Sequence, residues 1–395
     1  MVEFLPFFIV LLVSLFFSEL FFRFHFPWVI TLLIGGIIIG PNGINLFETN
    51  STIEFLSQIG LVFLMFLAGL ETNLFKHGQD SKFKKVVPVA VINSIIPLMV
   101  GFCFIYFLGY GFLASTLIGI IFISSSLAII IPSLDSNKII TKPIGQTIIA
   151  TAVILDIASL IALSVFIQFI EPTTSLPLPI FYALLFIFLL FLRFSMPKVI
   201  WFFKNEAKRE EKDVFQQELR SVFVLLIGTV ILFELIGLHP IIAGFFTGLV
   251  LSDSITSSIL KAKIRAVGYG IFVPAFFISV GAKTDLNIFV ENKDILWFSF
   301  MLVTVSIVVK FAAGYLGARY LKMNKNDSKI FASSLIPQLS TTLAVATIGM
   351  ELKILSLEIF SSVIMISIIT VLVSPLLIKI YVKKSEKKNL ESVKI

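Results

Sequence analysis

Asp156 stands near the middle of IGQTIIATAVILDIASLIALSVFIQFI at 144–170, an almost uninterrupted apolar run. Such a run is long enough to cross a bilayer, and a carboxylate at that depth is costly enough that its default reading is functional. One basic residue sits comparably deep, Lys310 in WFSFMLVTVSIVVKFAAGYLG. Hydroxyls gather in two further stretches. Ser124, Ser125 and Ser126 precede Pro132, while Ser340, Thr341 and Thr342 follow Pro337 and Gln338. A low dielectric favours the neutral form of a carboxylic acid, so such a group can load a proton. Once ionised, the same oxygens can ligate a small cation that has shed its water. A proton and an alkali cation competing for Asp156 make a complete exchange mechanism. The serines, threonines and Gln338 can supply further oxygens, and Pro132 and Pro337 leave backbone carbonyls unpaired, although hydroxyls in membrane helices also serve packing alone. An ionised lysine in apolar surroundings needs an anion. Lys310 either pairs with Asp156 when no cation is bound or props carbonyls at a helix end; both readings stay open.

The elements that position these residues must be membrane helices. The 395-residue chain is 57% hydrophobic and 14% charged, with a mean hydropathy of +1.03, a composition of many spans and of no soluble domain. The net charge of +7 does not form a nucleic-acid patch, because the lysines and arginines are spaced between apolar runs. The lone Cys103 excludes a disulfide framework. No P-loop or glycine-rich nucleotide fingerprint occurs, so neither ATP drive nor a nucleotide-binding domain is expected. The first twenty residues lack a basic leader and a cleavage site, and read as a first span.

Thirteen spans are expected, at 3–21, 27–44, 54–71, 86–109, 112–134, 144–169, 177–200, 217–236, 238–253, 266–282, 295–319, 328–350 and 355–379. The second and ninth are short and interrupted by glycine or proline. With the amino terminus outside, all but four of the 31 basic residues fall on the inner side; the exceptions are Lys283, Lys293, Lys353 and the intramembrane Lys310. That bias orients the chain with its carboxyl terminus in the cytoplasm. The 201–216 stretch, WFFKNEAKREEKDVFQ, reads as a solvated helix joining the two halves, and 381–395 as a short basic tail near anionic lipid. Glu19 and Arg23 are spaced for a local ion pair, Glu71 for contact with an inner loop, and Glu234 for the outer end of its span. His25, His77 and His239 lie near span ends and form no metal set with Cys103.

An approximate repeat relates the halves. ISSSLAIIIPSL at 123–134 precedes the Asp156 helix, and the Lys310 helix precedes FASSLIPQLSTTLAVATIG at 331–349. One discontinuous helix per half fits the inverted-repeat transporter pattern, with the irregular backbone confined to the protein interior or a cavity.

Several segments carry a family resemblance: PWVITLLIGGIIIGPNGINLF at 27–47, LSQIGLVFLMFLAGLETN at 56–73, SSSLAIIIPSLDSNKIITKPIGQ at 124–146, the Asp156 helix, LHPIIAGFFTGLVLSDS at 238–254, IFVPAFFISVGAKTDL at 271–286, and Lys310. In their order and spacing the chain resembles the monovalent cation:proton antiporter-2 (CPA2) family of prokaryotic sodium/proton exchangers and potassium-efflux systems. The resemblance implies an all-α polytopic fold of thirteen transmembrane helices, with inverted repeats and two crossed discontinuous helices. It implies a homodimer in the plasma membrane, with 3–85 mainly dimerisation or scaffold helices, 86–170 and 295–380 the two core halves, and 177–290 linker and scaffold helices. It also implies that Asp156 is the proton/cation carrier, that Lys310 is the core lysine, and that there is no cofactor beyond the transported ions.

Two departures qualify the match. Many electrogenic members carry paired acids where this chain has Leu155-Asp156, so the usual partner of the core lysine is missing. Gln338 and Ser340 stand where many relatives carry a charge. The expected function is exchange of Na+ (or Li+) for H+ by alternating access, one for one. K+/H+ antiport or K+ efflux is the alternative within the family, and an organic-anion symporter with a related crossed-helix fold is the alternative outside it. A cation channel would carry current without moving protons.

Overall fold

The computed structural model describes residues 5–22, 27–46, 51–71, 80–170, 216–235, 238–252 and 257–393, with a few isolated positions between them. The expected seventh span at 177–200 and the connecting helix at 201–216 lie almost wholly outside these residues, as do His25, His77 and Arg23, the partner expected for Glu19. Among the described residues the chain is an all-α polytopic membrane protein with inverted repeats, and the other twelve expected spans all carry helices.

The first seven helices are α1 (Leu5–Phe22), α2 (Trp28–Ile39), α3 (Ser51–Glu71), α4 (Asp80–Phe107), α5 (Phe112–Ile123), α6 (Leu127–Ser136) and α7 (Pro143–Ile170). Beyond the undescribed stretch come α8 (Gln217–Leu235), α9 (Pro240–Leu251) and α10 (Ser258–Val267), whose axis continues through a π-helical turn, Gly268–Phe272, into α11 (Val273–Ala282). The remainder are α12 (Asn287–Glu291), α13 (Lys293–Tyr320), α14 (Lys325–Ser334), α15 (Ser340–Glu351) and α16 (Leu357–Val393). Starts follow local capping chemistry. Asn292 Oδ1 accepts from Asp294 N at 2.9 Å ahead of α13, and Asn324 Oδ1 accepts from Asp327 N at 2.8 Å ahead of α14. The expected span at 266–282 begins earlier, because Ser257 caps Leu260 N at 3.3 Å and starts α10. The expected tail after 380 continues α16 as helix to Val393, since its Lys, Glu and Leu residues are good helix formers.

Two compact units emerge. One comprises 1–49, 79–163 and 278–395; the other comprises 50–78 and 164–277. Each is tightened by glycines that let backbones touch. In the first unit, a Cβ on Gly36 of α2 would lie 3.0 Å from Ala282 N of α11, and closer still to the Ile278 carbonyl. In the second, a Cβ on Gly69 of α3 would lie 2.8 Å from Leu249 N and 3.0 Å from Gly248 Cα of α9. Gly69→Val is therefore expected to lower stability by about 2 kcal/mol through overpacking. Gly228→Ala on α8, where a Cβ meets nothing within 4 Å, should be neutral or slightly stabilising. Melting temperatures in detergent compare the two.

The repeat is more regular than the sequence suggested. Helix starts at 80 and 293, 112 and 325, and 127 and 340 are each 213 residues apart, and those at 143 and 357 are 214 apart. The core of the first unit lies where the interruption between α5 and α6 meets the interruption between α14 and α15.

Candidate functional site at the helix crossing

Three consecutive serines end α5. Their hydroxyls compete for backbone partners, and Ser124 and Ser126 are extended, with ψ of 152° and 106°. The second interruption, 335–339, contains Pro337, which has no N–H to continue a helix. Each interruption satisfies the other. Ser126 N donates to Pro337 O at 2.7 Å, Ser125 Oγ donates to Leu335 O at 2.8 Å, and the Ser124 and Thr342 hydroxyls share a bond of 2.7 Å. Gln338 links three elements. Its Nε2 donates to Ile121 O at 3.1 Å, its Oε1 accepts from Ser306 Oγ at 2.8 Å, and its backbone N–H donates to Thr370 Oγ1 at 3.2 Å. These bonds supply the partners that lipid cannot.

Two charges lie at this crossing. Asp156 and Lys310, 4% and 2% exposed, are the two carboxylate or ammonium groups buried among the described residues. Asp156 projects from α7, and its Oδ1 accepts from Thr341 Oγ1 at 3.1 Å. Thr341 is the second residue of α15, so the carboxylate lies at a helix N-terminus, the end that favours negative charge. Lys310 reaches from α13 to the opposite kind of end, the C-terminus of α5. Its Nζ donates to Phe122 O at 3.3 Å, Ile123 O at 3.2 Å, Ser125 Oγ at 3.0 Å, and Ser124 O. These are the carbonyls a helix end leaves without partners. Asp156 and Lys310 make no ion pair within 4.0 Å; the pair of that kind in the second unit joins Arg265 to Glu71 at 3.1 Å. With those side chains 54% and 26% exposed, that surface pair contributes at most about 1 kcal/mol.

The expected site residues thus separate by what they touch. Ser124, Ser125, Gln338 and Thr341 meet at the crossing with their side chains engaged as above. Ser340 is buried at the first position of α15. Ser126 Oγ is buried and, among the described residues, has no hydrogen-bond partner, which leaves its lone pairs free for a ligand. His239 caps the start of α9, Glu234 is exposed at the end of α8, and Cys103 is a half-buried free thiol. No group of three or more His, Cys, Asp or Glu side chains is placed to hold a metal among the described residues. Ser306 and Thr370 escaped the sequence reading. Ser306 sits one turn before Lys310, and Thr370 sits 214 residues after Asp156, so the repeat offset would have found it.

This arrangement brings together one buried carboxyl group, a cluster of neutral oxygens and a buried lysine amine, with no metal-holding group of His, Cys, Asp or Glu among the described residues. Residues 7–384 match the family model described as sodium/hydrogen exchanger, transmembrane. The chain is 30% identical to a probable Na(+)/H(+) antiporter 3 of Methanocaldococcus jannaschii over 97% of both chains. It is 29% identical to a Na(+)/H(+) antiporter of Enterococcus hirae over 92% of this chain and 93% of that one. The solved structure of the sodium proton antiporter MjNhaP1 from Methanocaldococcus jannaschii superposes with a TM-score of 0.73 at 18% identity, over 95% of this chain and 96% of that one; this likeness shows the fold. A multi-pass membrane transporter rather than an enzyme, the chain belongs to the sodium/hydrogen exchanger family.

Proposed function

We propose that the protein exchanges Na+, with Li+ as a surrogate, for H+ across the plasma membrane of a prokaryote, and that Asp156 carries both ions in turn. The observation that carries this reading is the carboxylate buried at the crossing, bonded by Thr341 at the start of α15. In the cation-loaded state the Asp156 oxygens, the free Ser126 hydroxyl and Thr341 Oγ1 ligate the ion. In the proton-loaded state the protonated carboxyl is neutral. Alternation between the two, with the site open to one side at a time, couples the gradients.

The stoichiometry is one proton per cation. An ammonium group has three donors and no acceptor, and every partner of Lys310 Nζ accepts: three carbonyls and the Ser125 hydroxyl, whose own proton goes to Leu335. On this reading Lys310 stays charged through the cycle and neutralises the end of α5. The protein is a homodimer of the CPA2 branch, with its amino terminus outside and its carboxyl terminus in the cytoplasm, where the basic residues collect.

Proton flux in proteoliposomes tests this. A preset pH gradient should collapse on addition of Na+ or Li+, and at the same rate with or without an imposed membrane potential. Collapse on K+ alone would replace the cation. Sodium-driven uptake of an organic anion without proton movement would replace the mechanism, and a rate that follows the potential would overturn the stoichiometry.

A further inference from the structure

Thr370 is the counterpart of Asp156 in the second repeat. The Ser125 backbone of the first interruption faces the Asp156 carboxylate electrostatically. At the equivalent point of the other interruption, 213 residues on, the N–H of Gln338 bonds Thr370 Oγ1 at 3.2 Å. One half thus presents a carboxylate to its interruption and the other presents a neutral hydroxyl. Thr370 is fully buried on α16, and its own proton goes to Ser367 O at 3.3 Å, so its lone pairs are what meet Gln338. Gln338 is in turn fixed through its side chain to Ile121 O and Ser306. Three residues further along lies Thr341, the hydroxyl that bonds Asp156.

We infer that Thr370 is a positioning residue for cation binding: by holding Gln338 N–H, it sets the start of α15 so that the Thr341 hydroxyl stays on the Asp156 carboxylate. The inference rests on the antiport reading. Without the Thr370 acceptor, a buried backbone donor is left unpaired, the 335–339 segment shifts to find another partner, and Thr341 leaves its place. Ligand geometry suffers before the chemistry does.

The test uses the full chain in proteoliposomes, with Na+ as the probe. Thr370→Val, which keeps the shape and removes the acceptor, should raise the apparent KM for Na+ about tenfold, the equivalent of one unpaired buried donor, with the maximal rate little changed. Thr370→Ser should behave as wild type. The double variant Thr341→Ala/Thr370→Val should be no worse than Thr341→Ala alone, because both remove the same contact. A wild-type KM in folded Thr370→Val, or effects that multiply in the double variant, would overturn the inference. Should Thr370→Val fail to fold, Thr370→Cys keeps a weak acceptor and should show a smaller rise in KM; a wild-type KM there would equally overturn it. Absence of Na+-driven proton flux in the wild type would instead remove the antiport reading beneath it.

Discussion

Asp156→Asn is expected to reduce cation-driven proton flux by about a hundredfold or more, the scale of losing an essential proton carrier, while the protein stays folded. The amide has nearly the shape of the carboxyl group, and its oxygen can still accept from Thr341 Oγ1, which lies 3.1 Å away in the native protein. The charge disappears, and with it both the attraction for Na+ and the ability to take up a proton. Loss of a buried charge also relieves desolvation, so the melting temperature should hold or rise. Fluorescence dequenching in proteoliposomes, paired with a thermal melt of the same preparation, reads both quantities. Retained exchange in folded Asp156→Asn would end the carrier assignment. A collapsed melt would recast Asp156 as a structural group.

Lys310→Met should have the opposite profile, with stability lost first. The methionine fills the volume but donates nothing, so the carbonyls of Phe122, Ile123 and Ser124 lose the ammonium that bonds them. Hydrogen bonds to a charged group contribute about 1.5–3 kcal/mol each, and unpaired buried acceptors cost about 1–3 kcal/mol each. A loss of about 4 kcal/mol or more is therefore expected even if some carbonyls find water. Lys310→Gln keeps two donors and should recover part of that loss. In whichever of these variants folds, exchange should remain indifferent to membrane potential, because on the proposed one-for-one scheme Lys310 contributes no proton to the cycle. A Lys310→Met protein with unaltered melting would show that the end of α5 does not depend on this side chain. A wild type that responds to potential, with a variant that does not, would place Lys310 among the moving charges.

The two buried ionisable side chains were legible from sequence because the membrane makes them conspicuous: one acid and one lysine stand within hydrocarbon-length apolar runs. The interruptions were legible too, through Ser124–Ser126 and Pro337. What Lys310 touches was not, because an ammonium can bond a carboxylate or carbonyls and the choice depends on which helix ends face it. The hydroxyls divided in the same way. Nothing in their identity says that Ser124 and Ser125 are engaged in the crossing while Ser126 Oγ has no partner among the described residues. Thr370 was hidden because threonine in an apolar helix is common, and only its register against Asp156 gives it meaning. The ends of α10 and α16 lie beyond the expected spans for a different reason. Hydropathy marks where lipid begins, whereas capping and propensity decide where the helix does.

The crossing also constrains how the chain is made. Ser126 N needs Pro337 O, and the end of α5 needs Lys310, so the groups left open by the first interruption await partners that the ribosome delivers roughly two hundred residues later. Until then α5 and α6 cannot settle at full depth without water or a temporary partner for their loose backbone. Biogenesis must therefore end in a late closing step, in which the second half arrives and the two interruptions dry each other. Chains truncated between 170 and 310 should react faster with water-borne thiol reagents at a cysteine placed at 126 than the full-length chain does.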